Sequence, residues 1–156
     1  MNGMPVAGEN HKKLHRLAGR WTGAEKMSKT PFSPGGEAIG TSIMRVDIDG
    51  FFVIQDYVQT RGGKTSYKGH GIFSYDETKK TFIWYWVDSM GFVPPGPSRG
   101  QWNGDTLVFE HEPIGDKRGR YTYRFPDADS YTFQIENSDD AGKTWYTFIE
   151  AVYHRA

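Results

Sequence analysis

GRWTG, residues 19–23, is where the chain changes period. Before it, in GENHKKLHRLAG (8–19), Leu14, Leu17 and Ala18 recur at helical spacing. Asn10 is placed to cap the start and Gly19 to end it, so a short helix is expected over residues 8–18. After it the apolar and aromatic residues alternate with polar ones, and turn signals come at regular intervals. Ten strands are expected, at about 19–29, 37–48, 51–60, 64–75, 81–89, 98–102, 106–112, 119–125, 130–137 and 144–155. If neighbours in sequence pair antiparallel, their connections alternate between two ends. Asp49-Gly50, DETK (76–79), Asn103-Gly104 and DADS (127–130) are compact and share one end. TPFSPGG (30–36), RGGK (61–64), FVPPGPSRG (92–100), PIGDKRG (113–119) and the DDAGK turn (139–143) gather at the other. An open meander leaves two unpaired edges, which closure removes. The expected fold is all-β: a ten-stranded up-and-down antiparallel β-barrel with one short N-terminal helix. Residues 1–156 read as a single domain, helix at 8–18 and barrel at 19–156, shaped as a cup with a tight base and a looped mouth.

Composition narrows the function. Lys plus Arg and Asp plus Glu number 19 each, and no basic run exceeds two residues, so nothing supplies the charge that binding a nucleic-acid backbone requires. The chain has no cysteine, which removes disulfides, thiolate nucleophiles, iron–sulfur clusters and cysteine zinc sites. MNGMPVAGENHKKLH lacks the apolar run of a signal peptide, and no later segment has the apolar length of a membrane span. A soluble cytoplasmic protein is expected. Ten Phe, nine Tyr and five Trp beside nineteen Gly fit strands joined by tight turns.

Trp21 lies at the tight-turn end of the first strand, and alternation along the last strand, which carries AVYHRA (151–156), brings Arg155 to the same end. An indole and a guanidinium there attract by cation–π and planar stacking, so Trp21 and Arg155 are expected to plug the base. A G-x-W after a short helix, with an Arg late on the last strand, resembles lipocalins and their calycin relatives. HKKLHRLAGRWTG (11–23), IDGFFVIQDY (48–57), GHGIFSYD (69–76), WYWVDSMG (84–91), YTYRF (121–125) and YTFQIENS (131–138) run in order along nearly the whole chain. They resemble the lipocalin-like (calycin) bacterial domain-of-unknown-function family DUF1579, distantly similar to nitrobindin and fatty-acid-binding-protein barrels. The resemblance implies the barrel and no particular reaction.

The richest constellation is WYWVDSMG, in which Trp84, Trp86 and Asp88 share one face. A four-residue DETK loop sets Trp86 opposite Gly71 and Asp88 opposite Gly69; a three-residue loop sets His70 opposite Trp86. Both registers fit the sequence. Tyr57, Tyr67, His111, Tyr121, Glu136 and Trp145 come to the same region. Aromatic walls with a few polar groups suit a small apolar or amphipathic ligand, for which Tyr57, Tyr67, His70, Trp84, Trp86, Asp88, His111, Tyr121, Tyr123 and Glu136 are the candidate contacts. The bland alternative is that the rings fill a wide barrel while Asp88 or Glu136 ties to Arg120, Arg124 or backbone amides. FVPPGPSRG, with Gly91 before it, is a candidate lid.

Two rival readings are an enzyme pairing His70 or His111 with Asp88 or Glu136, and a nitrobindin-like haem binder using His154, His70 or His111. No nucleophile elbow, phosphate loop or Rossmann glycine set names a reaction, and no catalytic residue, metal site or cofactor is assigned. His11 and His15 have the spacing of half a metal site but no evident third ligand, and read as solvated helix histidines. SDDAGKTW (138–145) matches the Asp-box of sialidases, a hairpin turn that recurs once per blade in those propellers. Here it occurs once, so it reads as a turn. The expected partner is a small hydrophobic or amphipathic ligand, with a homodimer also allowed, and no nucleic acid or membrane.

Overall fold

The computed structural model describes residues 3–31 and 33–156, so Phe32 of the first mouth loop lies outside the described residues. The chain forms a closed ten-stranded antiparallel barrel in which every strand pairs with its neighbours in sequence and β1 with β10. The strands are β1 (Gly19–Met27), β2 (Gly36–Asp47), β3 (Phe52–Arg61), β4 (Lys64–Asp76), β5 (Thr81–Asp88), β6 (Ser98–Asn103), β7 (Thr106–Glu110), β8 (Arg118–Arg124), β9 (Ser130–Ser138) and β10 (Tyr146–Arg155). Compact turns and long loops separate to opposite ends as the alternation requires. Among the described residues no helix is long and apolar enough to cross a membrane.

The N-terminal helix is shorter than its period suggests. Helix α1 spans Glu9–Lys13 and tightens into a 3₁₀ turn over Leu14–Leu17. Gly8, not Asn10, occupies the cap position: its N–H donates to His11 Nδ1 at 3.1 Å. The two helix histidines are packed against the barrel instead of solvated. His11 is buried edge-on against Phe51, with ring centroids 5.0 Å apart, and His15 Nε2 meets the Gly50 carbonyl oxygen at 3.0 Å. The helix is held against the tight-turn end by these rings and by buried Leu14 and Leu17.

Trp21 is fully buried there, donates from Nε1 to the Leu17 carbonyl at 2.9 Å, and lies 4.2 Å below the Arg155 guanidinium. β1 and β10 pair Trp21 directly with Arg155, which also donates to the carbonyls of Ala18 and Ala128 at 2.9 and 2.8 Å. Above the plug, Phe73, Phe109, Phe125 and Tyr131 fill the lower half of the barrel. The Asp-box stretch is a turn. Asp140 accepts from the backbone N–H and hydroxyl of Thr144 at 2.8 and 2.5 Å, which holds its carboxyl down at about 2. Gly142 is left-handed at φ 86°, and Trp145 Nε1 donates to its carbonyl at 3.1 Å.

Candidate functional site: the barrel cavity

The upper half of the barrel is hollow, with a cavity of about 560 Å³ reaching the looped mouth. Strand alternation decides what lines it. On β1 the face that carries Trp21 at the base carries Glu25 halfway up and Met27 near the mouth; on β3 it carries Gln55, Tyr57, Gln59 and Arg61. Two irregularities add neighbours that strict alternation would hide. The β3–β4 register shifts beyond Gln59, so Ser66 and Tyr67 both line the cavity, and the β9–β10 register shifts at Phe148, so Phe148 and Ile149 do the same.

Seven of the ten candidate contacts line the cavity: Tyr57, Tyr67, Trp84, Trp86, Asp88, Tyr121 and Tyr123. The β4–β5 register is that of the four-residue loop, with Gly69 opposite Asp88 and Gly71 opposite Trp86. The rings lean one pair toward the mouth. A Cβ on Gly69 would lie 2.7 Å from Trp86 Cη2, and one on Gly71 would lie 2.6 Å from Trp84 Nε1. The indoles therefore occupy the space that a side chain at Gly69 or Gly71 would need. Asp88 accepts from Tyr67 OH at 2.5 Å, Trp86 Nε1 at 2.8 Å and the Met90 N–H at 2.9 Å.

Three candidates are misplaced. His70 points outward, because Gly69 and Gly71 take the inner face, and its Nδ1 meets Asp56 at 2.8 Å on the exposed wall. Glu136 is also outside, in a two-pronged pair with Arg120 at 3.0 and 3.2 Å, and Arg120 in turn covers Trp145 at 4.2 Å. His111 stays at the rim beside Tyr121, its Nδ1 against the Glu112 carbonyl oxygen at 2.6 Å, and does not line the cavity. The enzyme reading thus lacks its pair: among the described residues no histidine meets Asp88 or Glu136. The haem reading lacks its histidine ligand: among the described residues no histidine lines the cavity, and His154 faces outward near the base. The stretch considered as a lid contributes Ser98 to the wall, as does Met90 just before it, while Phe92 and Val93 project into solvent.

The most deeply placed polar group was not among the candidates. Glu25, 2% exposed, accepts from Tyr57 OH at 2.6 Å, Tyr153 OH at 2.7 Å and Gln59 Nε2 at 3.2 Å. Gly40 lies beneath: a Cβ there would meet the Tyr153 hydroxyl and come 3.0 Å from the Glu25 carboxyl. Its signal was parity, since Glu25 shares the face of Trp21. Among the described residues, Glu25, Asp88 and Arg61 are the only charged side chains in the wall.

Burial pushes six of the nine tyrosine phenols up. For Tyr57 and Tyr153 the Glu25 carboxylate adds to burial, for Tyr67 the hydrogen bond to Asp88 does, and Tyr121 is raised to about 12; Tyr123 and Tyr131 are also raised. In the unfolded chain these phenols ionise near pH ~10. Their contribution to stability is therefore complete below about pH 10 and is lost as pH rises toward the folded values. Spectrophotometric titration is expected to leave these six silent at about pH 11 and to release them together with loss of near-ultraviolet dichroism. Six phenols ionising smoothly near pH ~10 in a folded barrel would contradict this packing.

A closed antiparallel meander, plugged at the base by Trp and Arg and hollow above, defines a lipocalin-like, calycin-type barrel. The chain belongs to the family described as Protein of unknown function (DUF1579), whose model matches residues 6–155. Among curated proteins nothing matches. Of solved structures, Rv2717c from M. tuberculosis is similar at 16% identity and TM-score 0.69, with 97% of this chain and 99% of that one covered. The S-type phycobiliprotein lyase CPES from Guillardia theta is similar at 11% identity and TM-score 0.64, over 93% of this chain and 91% of that one. At these identities the likeness is one of fold.

Proposed function

We propose that this protein binds a small, largely apolar molecule in the barrel cavity, with the wall residues Tyr57, Tyr67, Trp84, Trp86, Asp88, Tyr121 and Tyr123 as contacts. The supporting observation is the cavity itself. Its volume, about 560 Å³, lies in the range of small-molecule pockets, and its wall combines broad aromatic faces with a few convergent polar groups. Aromatic faces contribute contact area, and the polar tips set orientation. Both named structural neighbours share the barrel, and one carries the name of a lyase acting on phycobiliproteins, so the scaffold is compatible with handling other molecules. A cysteine-free chain fits a reducing compartment, and we place the protein in the cytoplasm.

The neutral dye Nile red tests this reading. One dye per chain is expected to bind saturably with a blue-shifted emission. Ile135→Trp, which adds an indole to the cavity wall, is expected to weaken binding by at least about tenfold without lowering the melting temperature in proportion. Dye binding that never saturates, or that ignores the filled wall, would sink the proposal.

A further inference from the structure

Two carboxylates face the cavity, Glu25 on β1 and Asp88 on β5, and aromatic rings on β3, β4 and β5 link them. Tyr57, Tyr67 and Trp86 are in mutual contact, with centroids 5.8 Å apart for Tyr57–Trp86, 6.0 Å for Tyr57–Tyr67 and 6.5 Å for Tyr67–Trp86. Their polar tips do not point at random. Tyr57 donates to Glu25, while Tyr67 and Trp86 both donate to Asp88. A phenol or indole that donates to a carboxylate gains electron density in its ring, which strengthens the negative face that attracts a cation.

Neither carboxylate has a cation of its own. Among the described residues no lysine, arginine or histidine forms an ion pair with Glu25 or Asp88. Arg61, the one cationic side chain of the wall, is occupied at the mouth, where it donates to the Gly35 carbonyl at 2.6 Å and contacts Met27 Sδ at 3.5 Å. A buried carboxylate with neutral donors only is costly, and a cationic partner relieves the cost. A further acceptor, Gln55 Oε1, is buried in the same wall without a partner.

Resting on the proposed binding function, we infer that the ligand carries a basic nitrogen, protonated when bound, which lies over the Tyr57–Tyr67–Trp86 wall between Glu25 and Asp88, with an apolar body toward Phe133 and Ile135. The cavity is thus selective for organic cations over acids of the same shape.

Three isosteres test it by calorimetry at neutral pH: phenylbutylamine, phenylbutanol and phenylbutyrate. The amine is expected to bind at least about tenfold more tightly than the carboxylate and more tightly than the alcohol. Glu25→Gln is expected to cut the amine's advantage over the alcohol, read as the ratio of the two affinities within the same variant, to below about threefold. Asp88→Asn supplies the same comparison should the Tyr57–Glu25–Tyr153 cluster fail to fold without its carboxylate. Equal or tighter binding of the carboxylate, or an advantage unchanged in both variants, overturns the inference. Saturable Nile red binding with no affinity for the amine overturns it while leaving the binding function standing; failure of dye and all three isosteres removes both.

Discussion

Trp21→Ala is expected to lower the free energy of unfolding by about 3–5 kcal/mol, the cost of emptying a fully buried aromatic site. The indole is held on every side. Its Nε1 donates to Leu17, its edges meet Tyr131 and Phe125 at centroid distances of 4.8 and 6.2 Å, and Arg155 covers its face. Alanine would leave a void that the closed barrel cannot collapse around, because β1 is paired on both sides at this point. Urea denaturation of the wild type and the variant measures the difference. A double-mutant cycle with Arg155→Met is expected to return a coupling of about 0.5–1 kcal/mol, since Arg155 remains partly exposed. Nile red affinity per folded molecule is expected to change by less than about twofold, the plug lying below the hollow half. A stability loss under about 1 kcal/mol would show that Trp21 does not close the base.

The second large effect is expected at a glycine. In Gly69→Val the new side chain takes the space of the Trp86 indole, and the Val87 carbonyl 2.9 Å away blocks a backbone shift. Trp86 must leave its seat, and with it go its hydrogen bonds to Asp88 and Tyr67 at 2.8 and 3.1 Å. Overpacking of this kind costs about 1–3 kcal/mol. Displaced into the cavity, the ring is expected to lower Nile red affinity at least about tenfold and to red-shift the tryptophan emission. His70→Val, one residue along and on the outer face, is the control, with an expected stability change within about 0.5 kcal/mol. Identical behaviour of the two variants would mean that the inward face of β4 has been misassigned.

How much of this was legible depended on the kind of regularity. The ten strands, the two ends and the meeting of Trp21 with Arg155 follow from alternation and turn residues, which are local and repeat. Parity could have gone further. Glu25 lies four residues beyond Trp21, and Gln55 and Gln59 flank Tyr57, so the buried polar cluster was present in the same alternation that located the plug. His70 and Glu136 come near the mouth but stand on the outer face: His70 alternates with two inward glycines, and Glu136 follows the inward Ile135. The added wall positions Ser66 and Phe148 come from register shifts, which depend on how two strands settle against each other and leave no mark in either strand alone.

The pairing of β5 with β6 is the shortest in the barrel, only Phe82–Gly100, Ile83–Arg99 and Trp84–Ser98. Beyond Trp84 the backbone of β5 is zipped to β4 alone. Separating two strands costs roughly in proportion to the ladder that must be broken, so thermal fluctuations part the wall here before anywhere else. Amide exchange across Tyr85–Asp88 should accordingly outrun that of the other strand interiors, and the side of the cup, beside Trp86, would be its most yielding doorway.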